Sequence, residues 1–192
     1  RQALFSDGLS EATIDNHGTL DAAAFAYATT TSLTSGTHAD ARSLGISQFV
    51  AGSTATASIV NGAGGAINAH ATASAYDAGT GGATALAGGA GALQIAFGQD
   101  ADASAILQND GVIDVGSVAY ATSHSGDASA KVPLEVQLYV YGPPPSLALL
   151  VGSVPAGALQ VAFAPGDASL ALTNTDTIHV SSYAGAHADA SQ

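Results

Sequence analysis

The 192-residue sequence contains no cysteine, no methionine and no tryptophan. Without cysteine there is no disulfide framework and no thiolate metal site, although the compartment stays open. Cations are almost as scarce: Arg1, Arg42 and Lys131 stand against 15 acids, for a formal net charge of −12. Three cations cannot follow a phosphate backbone, so nucleic acid is excluded as a partner. Anionic membrane surfaces are excluded for the same reason, while the acidic surface resists non-specific association. The longest strongly apolar run, LALLV (Leu147–Val151), falls far short of the ~20 residues of a spanning helix, so no membrane insertion is expected. The opening RQALFSDG lacks an initiator Met and the basic-then-apolar form of a signal peptide, and reads as a processed or excised chain. Aromatics are only 6% although hydrophobic residues reach 47%, and alanine supplies nearly half of the apolar content. Alanine buries little area, at roughly 25 cal/mol per Å². Such a chain needs thin layers, close backbone approach and a dense hydrogen-bond ladder in place of a bulky core.

What is present is repetition. Asn16, Asn61, Asn109 and Asn174 head the stretches NHGTLD, NGAGGAIN, NDGVID and NTDTIH. Two residues before each stands Ile14, Ile59, Leu107 or Leu172, and after each turn comes Leu20, Ile67, Ile113 or Ile178. Upstream sit Phe5, Phe49, Phe97 and Phe163, each near a glutamine (Gln2, Gln48, Gln94 and Gln160), and a tyrosine comes later in each unit (Tyr27, Tyr76, Tyr120 and Tyr183). Markers recurring in one order four times define internal repeats of about 46 residues, approximately 1–43, 44–91, 92–156 and 157–192.

Within the units small apolar and polar residues alternate, as in AHATASAYDA (69–78) and GDASLALTN (166–174). A period of two means strand, and the Gly and Asn clusters between runs mean turns. The expected fold is all-β, a single repeat-built parallel β-helix (β-solenoid), with an antiparallel sandwich as the alternative. Like must stack on like in a solenoid, and the asparagines would form a side-chain amide ladder along the stack. The phenylalanines are expected to form a second column. Unit length suggests two coils of about 23 residues each, hence eight coils and an array of ~40 Å at ~4.8 Å per coil.

The pattern aliphatic-x-Asn-x-Gly-x-Ile-x-Val, at Leu107–Val115 and with Asp for Gly at Leu172–Val180, resembles repeats of bacterial surface β-solenoids of the filamentous-haemagglutinin and autotransporter-passenger kind. Ile14–Ala22 matches with Leu20 for Ile and Ala22 for Val, and Ile59–Ala69 departs by an extra Gly-Ala in the turn. The resemblance covers most of residues 1–130 and 156–192. It implies a secreted, cell-surface role in adhesion or assembly and names no ligand.

One segment breaks the pattern. In KVPLEVQLYVYGPPPSLALLVGSVP (131–155), Val132, Leu134, Val136, Leu138 and Val140 alternate with more polar residues, GPPPS turns the chain, and Leu147, Leu149 and Leu150 return. This reads as a hairpin insertion. It would cap a coil end or cover a sheet edge, or pair with another subunit as an assembly arm, with a ligand-binding loop as a third option. The terminal AHADASQ (186–192) looks like the internal THADARS (37–43), and the opening RQALFSDG looks like LGISQFVAG (44–52), the stretch next to it. A head-to-tail join of copies is expected from that likeness, with a fragment cut from a longer array as the alternative.

Catalytic chemistry is not expected. Carbohydrate-active β-helices acting on acidic polymers need cations beside their carboxylates, and here cations are few and scattered. The six histidines form no HExxH, and no serine lies in GxSxG. No cofactor is expected. Calcium would fit where turn carboxylates and carbonyls converge, as near GQDADAS and PGDAS. The calcium nonapeptide is absent, however, and the turn aspartates read better as solvated. The threonines hold no single register, which argues against ice binding. Stacked on one face, the four tyrosines would form either a glycan platform or a stiffening aromatic ladder. The expected function is a structural subunit of a secreted extracellular fibre or surface appendage, with the protein itself as partner. An adhesin or passenger fragment that binds a surface or glycan is the alternative.

Overall fold

A computed structural model describes residues 1–31, 34–132, 136–139, 148–151 and 156–189. Among the described residues every regular element is a strand. The first coil holds β1 (Gln2–Phe5), β2 (Leu9–Asn16) and β3 (Thr19–Thr30). The second holds β4 (Thr37–Gly52), β5 (Thr54–Asn61) and β6 (Ala66–Asp77). The third holds β7 (Ala83–Gly98), β8 (Ala103–Asn109) and β9 (Val112–Ser123). The fourth begins with β10 (Ala128–Lys131). After a hairpin of β11 (Val136–Tyr139) and β12 (Ala148–Val151), it continues through β13 (Ala156–Phe163), β14 (Ala168–Asn174) and β15 (Ile178–Ala188).

Corresponding strands of successive coils pair in parallel, which gives three sheets. Sheet A contains β1, β4, β7, β10 and β13; sheet B runs β2-β5-β8-β14; sheet C runs β3-β6-β9-β15. Each 46-residue unit is therefore one coil of three faces, and the array has four coils. The expectation of eight short coils is corrected: the sheet A strand alone runs 16 residues in β4 and β7, so one circuit consumes the whole repeat. At ~4.8 Å per coil the stack is under half the expected length.

Side-chain size varies with position in the cross-section. Where the first half of sheet A faces the far end of sheet C, a core cluster holds ten buried residues, all alanine, including Ala39, Ala73, Ala85 and Ala119. Where the second half of sheet A faces sheet B, the cluster is again alanine, apart from Val50. The fully buried large aliphatics of the interior gather in the middle, where the corner between sheets B and C lies opposite the centre of sheet A: Ile46, Ile59, Ile67, Leu107, Ile113 and Val115. Thin alanine wings let backbones approach closely, and the wide middle needs branched side chains to reach interior density.

Sheet A bends at that middle. In β4, Thr37, Ala39, Ala41 and Ser43 are buried, and then Ile46, Gln48 and Val50, so the alternation slips by one residue at Leu44–Gly45. Gly45 stands there opposite Gly91, since Leu44 pairs with Ala90 and Ile46 with Ala92. A Cβ on Gly45 would lie 2.6 Å from Ile67 Cγ2, and Gly91 and Gly157 face Ile113 and Ile178 in the same way. A column of glycines thus receives a column of isoleucines.

The insertion enters at the same bend in the fourth coil. Lys131 pairs with Leu86 and Ala156 with Ala90, so in sequence residues 132–155 separate two register positions that only Ala87, Gly88 and Gly89 separate in the third coil. Within it β11 and β12 pair antiparallel, Val136 with Val151 and Leu138 with Leu149.

Candidate functional site

The corner between sheets B and C carries the asparagines. Asn16, Asn61, Asn109 and Asn174 hold matching register positions in sheet B. Asn16 Nδ2 donates to Asn61 Oδ1 at 2.7 Å, Asn61 Nδ2 to Asn109 Oδ1 at 2.6 Å, and Asn109 Nδ2 to Asn174 Oδ1 at 2.6 Å. The same Nδ2 groups also reach turn carbonyls, as from Asn16 to Ala66 and from Asn61 to Val112. Asn61 and Asn109 are wholly buried, and an amide in such a place needs both its donor and acceptor sides satisfied. The flanking aliphatics share the order: Ile14, Ile59, Leu107 and Leu172 form one column, and Leu20, Ile67, Ile113 and Ile178 another.

A second amide ladder runs inside sheet A. Gln48 Nε2 donates to Gln2 Oε1 at 3.0 Å, Gln94 to Gln48 at 3.2 Å, and Gln160 to Gln94 at 3.0 Å. Each also crosses the interior to sheet B: Gln48 reaches the carbonyls of Ala12 and Ser58, and Gln94 those of Ala57 and Ile106. The sequence marks these glutamines as a recurring feature without giving them a role. The signal is there, because the first two intervals are both 46 residues. The two ladders have opposite polarity: asparagine amides donate toward the C-terminal coil, glutamine amides toward the N-terminal one.

The phenylalanines do not form one column. Phe97 and Phe163 are in register and stacked at 5.4 Å, and Phe5 belongs to the same column, but in the second coil that position is Ala51. Phe49 lies beside Ala3 and Ile95, and meets Phe5 only diagonally, at 5.2 Å and a tilt of 37°. All four sit on the outer side of sheet A, partly or largely exposed. The expected column is corrected to two pairs. The cause is turn length: Gly52 and Gly98 are in register, as are Ala55 and Ala103, so the third coil has two extra residues in that turn. Phe49 precedes its turn by two more residues, which makes its distance to Asn61 equal that from Phe97 to Asn109.

Of the residues expected in the arm, Val132 packs half-buried against the alanine cluster. The backbones of Val136, Leu138, Leu149 and Leu150 lie in the β11–β12 pair, and Leu134, Val140 and Leu147 lie outside the described residues. The likeness of the two HADA stretches does not reflect equal position. Ala186–Ala188 lie in sheet C beside Ala121–Ser123, whereas Thr37–Ser43 lie in sheet A.

Among the described residues no three His, Cys, Asp or Glu side chains converge as a metal site. Instead, exposed acids tie the last coil to the third. Asp114 is held below the ordinary aspartate value of 3.8, first by its hydrogen bond with His179, with His70 on its other side. Asp189 is lowered by His124 and then His187, and Asp110 by Thr175 and then Gln108. A carboxyl whose folded pKa is depressed stabilises above its unfolded value and loses that contribution as pH falls through the depressed one. Below pH 3.8, amide protection in β14 and β15, corrected for intrinsic rates, should therefore fall before that in β5 and β6. Uniform loss across coils would contradict this assignment.

Three parallel sheets in register, a bend lined with glycine and two continuous amide ladders define the class: a four-coil parallel β-solenoid. No family model matches the chain, and no curated protein or solved structure matches it either.

Proposed function

We propose that the chain is a structural subunit of an extracellular fibre or surface appendage, extended by stacking the fourth coil of one copy on the first coil of the next. The observation that carries this reading is the state of the two ends. Among the described residues, Asn16 Oδ1 at the first coil accepts only the Gly18 amide, and Gln2 Nε2 has no partner. At the fourth, again among the described residues, Asn174 Nδ2 donates only to the Asp176 carbonyl, and Gln160 Oε1 has no partner. Each end therefore presents to its opposite the donor or acceptor that the ladders use internally. Inward-facing apolar side chains are uncovered at both ends as well, with Leu20 38%, Leu172 52% and Val180 41% exposed. A further coil would place Asn16 on Asn174, Gln2 on Gln160 and Phe5 on Phe163. Ends that match without closing a ring generate filaments, and open strand edges favour this mode of addition.

The resemblance to bacterial surface solenoid repeats supports the extracellular setting. The β11–β12 pair is inserted between β10 and β13 of the fourth coil, which suits an arm that engages the incoming copy. Sedimentation and negative-stain imaging across a concentration series should give rods of growing length and constant width. Leu172→Lys, which puts a charge on one end only, should stop growth without unfolding the monomer. A monomer at every soluble concentration would refute the proposal.

A further inference from the structure

The outer face of sheet C carries a group of exposed aromatic side chains. Phe25, Tyr27, Tyr76, Tyr120 and Tyr183 all point outward from it, with Phe25 80% and Tyr27 75% exposed. They occupy three adjacent columns: Phe25 and Tyr183 in the first, Tyr27 and Tyr120 in the second, Tyr76 in the third. Tyr120 and Tyr183 meet across columns at 5.2 Å. The tyrosines thus share one face without forming the single column that a stiffening ladder would require.

Small residues lie beneath and between the rings. A Cβ on Gly185 would come 3.0 Å from the Tyr183 ring, and one on Gly116 would come 3.1 Å from the His70 ring. Both rings therefore lean over a glycine, where a larger side chain would crowd them. Thr72, Ser74 and Thr122 stand between the aromatic positions in the same columns, with their side chains on the same side. Ring faces alternating with hydroxyls suit a ligand that has apolar C–H faces and a rim of hydroxyls.

We infer that this face binds a neutral, β-1,4-linked polysaccharide laid along the stacking axis. Charge selects the neutral class. None of Arg1, Arg42 and Lys131 lies in sheet C, and the histidines that do, His70, His179 and His187, each face an aspartate, so no free permanent cation there would hold a sulfate, phosphate or uronate. Geometry selects the linkage. Tyr27 and Tyr120 share a column two rungs apart, twice the ~4.8 Å strand spacing. Two sugar units of an extended β-1,4 chain advance by a similar distance, and such a chain is a flat ribbon. An α-1,4 chain coils and does not keep to one straight column. This inference does not depend on end-on stacking, because the face is complete within one copy.

Tyrosine emission reads the face directly, since the protein has no tryptophan and four of its six tyrosines lie there. Titration with cellohexaose should change that emission saturably, while maltohexaose and a sulfated heparin hexasaccharide should not. The double variant Tyr120→Ala/Tyr183→Ala, altered only at exposed positions, should keep its melting temperature and bind cellohexaose about tenfold more weakly. Phe97→Ala, on the outer side of sheet A, should bind unchanged. No saturation with cellohexaose, undiminished binding by the double variant, or preference for the sulfated sugar would each overturn the inference.

Discussion

Asn61→Ala will lower the unfolding free energy by about 3 kcal/mol, whereas Asn174→Ala will lower it by about 1 kcal/mol or less. The two residues have the same chemistry and the same column, so the difference isolates burial and ladder position. Asn61 is fully buried and sits between two rungs. Removing it leaves Asn16 Nδ2 without its ladder acceptor, Asn109 Oδ1 without a donor, and the Val112 carbonyl without the side-chain bond it received. A buried polar group that loses its partner bears its whole desolvation cost. Asn174 is exposed on the last coil, where water replaces what it loses. Urea titrations monitored by circular dichroism, compared at equal slope, measure the difference. Equal losses at the two positions would mean that the ladder contributes no more inside than at its end.

Gly91→Ala, the mildest possible change by size, will cost about 3 kcal/mol. The added methyl would run into Ile113 Cγ2 and lie 2.6 Å from the Gly157 carbonyl oxygen of the next coil. The side chain of Ile113 is wholly buried and the carbonyl is backbone, so neither yields cheaply. Gly18→Ala provides the comparison: nothing lies within 4 Å of its added methyl, and stability should stay within about 0.5 kcal/mol. Pairing Gly91→Ala with Ile113→Ala removes half of the collision, so the double variant should be less damaged than the sum of the singles by about 1 kcal/mol. Strict additivity would place the strain elsewhere.

What can be read from the residues depends on how tightly a turn fixes its flanks. Around each asparagine the turn is short, so Ile14, Ile59, Leu107 and Leu172 and their partners beyond the corner are legible as columns. Period two identifies strands but not corners. The bend of sheet A has no Asn or Pro to mark it, only a glycine in a glycine-rich chain, and the circuit length is therefore underestimated by half. The contact of Gly91 with Ile113 joins separate strands on two faces, and nothing local to either residue announces it. The phenylalanine column fails because a longer turn and an earlier phenylalanine cancel in the count to the next asparagine. The glutamines carry a regular interval, but a buried glutamine in an alanine interior makes sense only once the sheet B carbonyls are seen opposite it.

The stability of this alanine-rich interior is ascribed to side-chain amides bonded from coil to coil, and their hydrogen exchange tests that directly. By nuclear magnetic resonance, the carboxamide protons of Asn61, Asn109, Gln48 and Gln94 should exchange only through global opening, while those of the exposed Gln99 exchange at the rate of a free amide. If the four buried carboxamides exchange as fast as Gln99, the coils are not held together in the way described.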